Sequence, residues 1–219
     1  MKQFAWSFSK LKNFEVCPKR HYEVDLAKNF TDEDGEALVW GNRVHKAMAV
    51  RLGKPKAPLP DDMALFEPWA KKVENGAGTL YVEQKYAITK DFMRCDWFAP
   101  VAWYRGIGDV VRVSGRVALV LDWKTGKILE DSVQLALMAQ CIFAHFPEVQ
   151  KVRSVYAWLK DDAETSEVFD RSDMSELWVG LLDRVWKLEN AYKTQSYPPL
   201  PGRLCKRWCP VTSCPYHGK

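Results

Sequence analysis

Apolar residues follow two spacings along this chain, and the change from one to the other marks its elements. Leu80–Thr89, Arg105–Val113, Val117–Leu121, Val152–Leu159 and Ala163–Phe169 alternate or run unbroken over strand lengths, which predicts strands. Ser114-Gly115 is a turn signal, so the strands on either side of it are expected to pair as a hairpin. The aromatic-rich segment Phe92–Tyr104 is expected to complete an antiparallel meander leading into that hairpin, and Ala163–Phe169 to pair with Val152–Leu159. Elsewhere the spacing is helical. Ser9 is the expected N-cap of a helix carrying Leu11, Phe14 and Val16, which Pro18 ends just after Cys17. Residues 23–36 are acidic and polar and read as a loop; Trp40–Met48 then opens a helix packed through Val44, Ala47, Met48 and Leu52. Within the Pro- and Gly-rich stretch 53–79, Pro60–Asn75 holds a helix with Leu65, Trp69 and Val73 at helical spacing. A strongly apolar helix is expected over Val133–Phe146, its helical stretch starting near Asp131, and a long amphipathic one over Ser172–Tyr192, with Leu177, Leu181, Val185, Leu188 and Tyr192 near one face.

With 219 residues, 47% of them hydrophobic, the chain can bury a sizeable core and is expected to form one domain over residues 1–219. A formal charge of +4 permits a polyanionic partner without demanding one. No apolar run is long enough to span a membrane, and the start, MKQFAWSFSK, lacks the apolar core of a signal peptide. A cytoplasmic location is therefore expected, where the six cysteines are reduced thiols or metal ligands in preference to disulfides.

The chemistry concentrates between Gly106 and Gln134. The strand Val117–Leu121 delivers Asp122 and Lys124, two apart and so on one face. Asp109, on the preceding strand, reaches the same place if the two strands pair. Gln134 stands in the first turn of the helix that follows. Two carboxylates and a lysine at one sheet edge suit metal-assisted phosphodiester hydrolysis: hard divalent ions take carboxylate oxygens, neutralise phosphoryl charge and activate water, which the lysine can orient.

The pattern Gly-Ile-Gly-Asp109, an apolar strand, Asp122-Trp123-Lys124-Thr125-Gly126, then Gln134 resembles the PD-(D/E)XK nuclease superfamily, and within it the RecB-like branch of AddB-type domains and CRISPR-adaptation exonucleases. The likeness covers the chain apart from residues 53–79. It implies an α/β fold with a restriction-endonuclease-like core, a mixed and mainly antiparallel sheet flanked by helices. It implies Asp109, Asp122, Lys124 and Gln134 as catalytic residues. Mg2+ or Mn2+ would be held by Asp109, Asp122, the Trp123 backbone carbonyl and, through the Gly-x-x-x-His pattern ending at His45, an imidazole, which suits manganese better than magnesium. Glu83 resembles a glutamate of the first core strand and is a further candidate metal ligand. Where the family often has tyrosine four residues after the glutamine, this chain has Met138.

Cysteines form the second signal. Cys205, Cys209 and Cys214 lie among prolines and basic residues near the C-terminus, a composition that reads as a loop folded round a metal; with Cys17 they make four thiolates, enough for a [4Fe–4S] cluster or a structural Zn2+. In the RecB-like family one N-terminal and three C-terminal cysteines hold a [4Fe–4S] cluster, usually with C-x2-C-x5-C spacing; here the spacing is C-x3-C-x4-C, and His217 could replace one ligand. Such a staple would join the chain ends, while Cys95 and Cys141 read as structural.

The expected activity is that of a metal-dependent DNA exonuclease in recombination, repair, phage DNA processing or CRISPR adaptation. The competing readings are a structure-selective endonuclease, a non-catalytic DNA-binding module on the same fold, and a zinc-stapled interaction protein. The partner is DNA, single-stranded or with free ends. No GxxxxGK[ST] phosphate loop is present, so any helicase or recombination motor is a separate protein. Basic residues at Lys10, Lys12, Lys19, Arg20, Arg43 and Lys46, with Tyr22 and Trp40 near them, suit strand tracking by phosphate contact and base stacking.

Overall fold

The structure, a computed structural model, describes residues 4–32, 35–128 and 132–219. It divides into two compact units, one formed by residues 35–176 and the other by residues 1–34 together with 177–219.

The larger unit is a six-stranded sheet in the order β2-β1-β3-β4-β5-β6 with helices packed on it. Its strands are β1 (Thr79–Ile88), β2 (Arg94–Cys95), β3 (Tyr104–Ser114), β4 (Val117–Lys124), β5 (Lys151–Trp158) and β6 (Ala163–Asp170). Every neighbouring pair is antiparallel except β4 and β5, which run parallel from Val117↔Lys151 to Lys124↔Trp158. A parallel pair needs a crossover, and α5 (Val133–His145) provides it. Its residues from Leu135 to Phe143 are all buried, which is why the sequence there is apolar all round instead of amphipathic. The expected helix start near Asp131 falls on a residue outside those described. Phe146 is the C-terminal cap and not part of the helix.

The other side of the sheet is covered by α3 (Glu36–Leu52) and α4 (Glu67–Glu74), the latter preceded by a 3-10 turn over Asp61–Phe66. Val44, Met48 and Leu52 of α3 pack with Trp69, Ala70 and Val73 of α4 against Val110, Leu121, Trp123, Val155 and Ala157 of the sheet. Buried Arg112 donates to the carbonyls of Val73 and, at 3.3 Å, Glu74 at the end of α4, and to those of Gly76 and Gly78 just beyond. One side chain thus satisfies carbonyls that a helix end leaves without partners.

In the smaller unit, α1 (Phe8–Val16) is followed by the short α2 (Pro18–Arg20) and a π-helical turn over His21–Leu26. The cap of α1 is Ser7, whose hydroxyl accepts from the Lys10 amide, and not the expected Ser9; the two hydroxyls lie 3.0 Å apart, and Ser7 has the extended backbone a cap requires. Pro18 does end α1, but it also opens α2 as a first-turn residue, where a missing N–H costs nothing. Part of the loop expected over residues 23–36 is therefore helical: the π-helical turn runs to Leu26, and α3 starts at Glu36. Phe92–Tyr104 contributes only the two-residue β2 and a series of turns in place of a full meander strand, and Tyr104 already belongs to β3.

The long helix α6 (Met174–Thr194) enters the smaller unit at Leu177. Its buried positions are Met174, Trp178, Leu181, Val185, Leu188 and Ala191, so Trp178 takes the place expected of Leu177. Tyr192 on α6 holds the N-terminal segment: Phe4 packs edge-on to its ring at 5.1 Å, and its hydroxyl lies 3.2 Å from Nε2 of the fully buried His21, whose Nδ1 is 2.7 Å from Asp25. Burial lowers the His21 pKa, against the raising effect of Asp25. No helix among the described residues is long and apolar enough to cross a membrane.

Candidate active site

The site lies in the larger unit where β3 and β4 part. Their pairing runs from Ser114↔Val117 to Val110↔Leu121 and stops there. Beyond it Asp109 Oδ2 accepts from the Trp123 amide at 2.9 Å, so the carboxylate satisfies an amide that the ladder no longer reaches. The carboxylates of Asp109 and Asp122 are thereby brought to the two sides of a fork.

Glu83 arrives by a local departure from strand geometry. On a regular strand, residues five apart face opposite sides, yet Tyr81 and Tyr86 both pack on Phe146, with ring centroids 5.4 and 6.4 Å away. The alternation breaks at Glu83, whose φ is +50°. β3 breaks at the facing position: Val110 packs with α3, Asp109 contacts His45 of the same helix, and a Cβ on Gly108 would meet Val111 at 2.8 Å. This paired irregularity leaves Val82 and Glu83, and Val110 and Asp109, directed to the α3 side. His45 comes from α3, held by Val44 and Met48 in the core on either side of it. Its Nδ1 lies 3.1 Å from Asp109 Oδ2. One ligand atom each from His45, Glu83 and Asp109 lies within 4.8 Å of the others, and among the described residues this is the one such group of three or more.

On the opposite side of the fork, Gln134 in the first turn of α5 ties the remaining residues together. Its amide nitrogen donates to Asp122 Oδ1 at 2.8 Å, while its carbonyl accepts from Lys124 Nζ at 3.1 Å. Lys124 Nζ also stands 2.7 Å from Asp122 Oδ2, pairing its charge with a carboxylate oxygen that is out of solvent. The four residues named for catalysis, Asp109, Asp122, Lys124 and Gln134, therefore adjoin one fork, with His45 and Glu83 beside Asp109. Trp123, whose carbonyl is the further candidate ligand, has its amide on Asp109 and its side chain buried.

Electrostatically the fork is overloaded with negative charge. Burial, then the charge of Asp109, raises the Asp122 carboxyl to about 6, against the lowering effect of Lys124. The Glu83 carboxyl is raised by desolvation of its head and by Asp109, although the residue as a whole is exposed. For His45, burial lowers the pKa, but the hydrogen bond and charge of Asp109, with Asp122 and Glu83 behind it, raise it further, for a net rise. Two carboxylates and one imidazole gathered beside the buried Asp122 carboxylate are donors of the kind that a hard or borderline divalent cation takes. Their residues fit such an ion.

Sequence reading missed Tyr156. It reaches the site from β5, the parallel neighbour of β4, where it sits beside Asp122. Lys124 Nζ stands over its ring, 4.7 Å from the centroid, and its hydroxyl lies 3.5 Å from Gln134 Oε1. Met138, at the position where a tyrosine was noted as absent, is buried, and its sulfur and methyl lie over Gly106 and Gly108. Those glycines keep β3 thin where α5 crosses it: a Cβ on Gly106 would meet the Met138 sulfur at 2.8 Å.

The basic residues named for DNA contact are mostly engaged. Lys19 pairs with Glu23, Arg20 with Asp32 and Arg43 with Asp62, and Tyr22 stacks on Tyr197 at 4.7 Å. Lys46 instead lines an open cleft with Asn42, His45 and Glu83. In the smaller unit, Cys17, Cys205, Cys209 and Cys214 line one apolar cavity of about 230 Å³. The Leu200 amide points to Cys17 Sγ at 3.4 Å and the Gly202 amide to Cys205 Sγ at 3.5 Å. Cys141 is buried in α5, and Cys95 is half-buried.

Three comparisons bear on this arrangement. No curated protein matches the chain. Among solved structures, a candidate exonuclease from Eubacterium rectale superposes with a TM-score of 0.54 at 13% identity, over 92% of this chain and 85% of that one. The protein SSO0001 superposes with a TM-score of 0.49 at 16% identity, over 98% and 87%. The family model of the PD-(D/E)XK nuclease superfamily matches residues 5–215, nearly the whole chain and every residue of the fork, and the chain belongs to that superfamily.

Proposed function

We propose that the protein is a Mg2+- or Mn2+-dependent deoxyribonuclease acting from DNA ends, an exonuclease of recombination, repair or DNA processing in the RecB-like branch. The observation that carries the reading is the fork itself: a His45–Glu83–Asp109 ligand group beside the buried Asp122 carboxylate, with Lys124 fixed by Gln134. Asp109, Asp122, His45 and Glu83 would hold the ion, with the Trp123 carbonyl completing the set. When bound, a divalent ion lowers the pKa of water and neutralises charge on phosphoryl oxygens. The chain supplies the rest. Lys124 presents an ammonium beside the carboxylates, available to orient the attacking water and to counter charge that builds on the phosphate. Gln134 fixes Lys124 and Asp122 relative to one another, so neither must reorganise during the reaction. Trp123 holds Asp109 through its amide, keeping that carboxylate turned towards His45.

We further propose that the four cysteines, which line one cavity of about 230 Å³, hold a [4Fe–4S] cluster, with a structural Zn2+ as the alternative. Amide donors to Cys17 and Cys205 suit thiolates that carry charge.

Activity is tested on linear and circular single-stranded DNA with Mg2+, Mn2+ or excess chelator. Release of nucleotides from linear strands only, silence in chelator, and loss of cleavage in Asp122→Ala and Lys124→Ala with binding retained are expected. Full activity of Asp122→Ala would sink the assignment, and equal cleavage of the circle would turn it towards an endonuclease.

A further inference from the structure

A patch outside the fork lies on the same strands. After Glu83 on β1 and before Asp109 on β3 the strands alternate regularly, and Tyr86, Gly106 and Gly108 face α5. Lys85, Arg105 and Ile107 therefore turn to the other side, the side of Glu83, Asp109 and His45. Among the described residues no helix covers them there: Lys85 is exposed, and Ile107 is 43% exposed. Trp97, on the turn-rich segment after β2, lies against them. Lys85 Nζ stands 5.5 Å, and the Arg105 guanidinium carbon 5.8 Å, from its ring centroid.

Two features of the patch are unusual for a packed surface. Neither Lys85 nor Arg105 makes an ion pair among the described residues, and Arg105 Nε is out of solvent without a hydrogen-bond partner. The neighbouring Phe98 is 83% exposed. Lys85 stands two positions along β1 from Glu83, and Arg105 four positions along β3 from Asp109, so the patch begins about 7 Å and ends about 13 Å from the metal ligands at ordinary strand rise. Two unpaired cations and an indole, continuous with a phosphodiester-cleaving fork, match one polyanion with flat apolar groups.

Resting on the proposed nuclease reading, we infer that Lys85, Arg105 and Trp97 form the track on which an unpaired DNA strand lies beside the scissile phosphate, Trp97 stacking a base and the two cations taking backbone phosphates. Stacking needs a base free of its complement, so the track selects single strands or frayed ends over intact duplex. It also explains how substrate can be held while Lys19, Arg20 and Arg43 stay in their ion pairs.

The test uses the full chain. Binding of a labelled 12-residue thymidine oligonucleotide is followed by anisotropy in chelator, and cleavage of the same strand and of thymidine 5′-(p-nitrophenyl phosphate) is followed with Mn2+. Trp97→Ala is expected to weaken strand binding roughly ten-fold, within the range of base–aromatic stacking, and to raise KM on the strand while leaving turnover of the small ester unchanged. Trp97→Phe is expected to recover most of the loss. An abasic nucleotide at the stacked position is expected to weaken wild-type binding and to have no further effect on Trp97→Ala, a coupling that general misfolding does not produce. The Lys85→Ala/Arg105→Ala protein is expected to lower the dependence of log Kd on log salt by roughly 1.4, at about 0.7 per phosphate contact on a single strand. Wild-type affinity in Trp97→Ala, or an abasic penalty that persists in it, overturns the track. Strand binding that depends on Trp97 without any cleavage by wild type leaves the track standing and removes the nuclease reading. RNA and DNA strands bound equally would overturn its assignment to DNA alone.

Discussion

At the scale of single residues, Asp122 carries the conflict that a metal site builds into a protein. Its carboxyl is raised from 3.8 to about 6 by burial and by Asp109. In metal-free protein the folded state therefore holds this proton more tightly than the unfolded chain does. Stability from that source is full below the ordinary carboxyl range and is lost as pH rises through about 6. Asp122→Asn removes the conflict. It should stabilise metal-free protein at pH 7.5 by about 1–3 kcal/mol, with the gain shrinking towards pH 4, and Mn2+ should raise the Tm of wild type far more than that of the variant. Thermal melts across pH, with and without Mn2+, check both. Tyr156 is the other residue with a measurable role. Its ring lies under the Lys124 ammonium, so Tyr156→Leu should reduce kcat about three- to thirty-fold, the worth of a partly desolvated cation–π contact, while strand affinity stays the same. Steady-state kinetics and anisotropy on one preparation separate the two effects. Tyr156 was not legible in the sequence because it is delivered by the register of a parallel pair, which short-range spacing does not encode. Asp122, Lys124 and Gln134 were legible because one strand and the helix after it carry all three.

At the scale of elements, the hairpin β3–β4 and the helices α5 and α6 follow directly from apolar spacing, since each buries one or both faces. The paired irregularity of β1 and β3 does not follow from spacing. It requires two strands to lose alternation at facing positions, and neither sequence shows a glycine at the site of positive φ. Glu83 occupies the left-handed region, where a non-glycine residue costs on the order of 1–2 kcal/mol. Glu83→Gly should therefore raise metal-free stability by about 1 kcal/mol while lowering Mn2+ affinity and activity. Glu83→Gln should lose the affinity without the gain in stability. Chemical denaturation with Mn2+ titration distinguishes them, and equal stability of the two variants would mean that the backbone there is unstrained. The same scale explains the basic residues of the N-terminal third. Their spacing suggested a nucleic-acid surface, but spacing does not show that Glu23, Asp32 and Asp62 return to pair with them.

At the scale of the whole molecule, the four cysteines belong to a unit assembled from both ends of the described chain. If they hold the proposed cluster, anaerobically purified protein is brown with broad absorbance near 400 nm, and Cys209→Ser bleaches it and lowers the Tm, because ligation energy is folding energy. Colourless wild-type protein with one zinc per chain would replace the cluster by zinc and keep the staple. The fork lies in the other unit and uses oxygen and imidazole donors, so the folded fraction of Cys209→Ser should keep some cleavage. The division into units also orders events on the ribosome. Residues 35–176 form one uninterrupted stretch, so the sheet with its fork can close while translation is still under way. The segment before it must wait until α6 and Cys205, Cys209 and Cys214 emerge. If these cysteines and Cys17 hold the proposed cluster, its assembly follows closure of the sheet, and a cell short of iron would accumulate chains whose sheet is complete and whose staple is open.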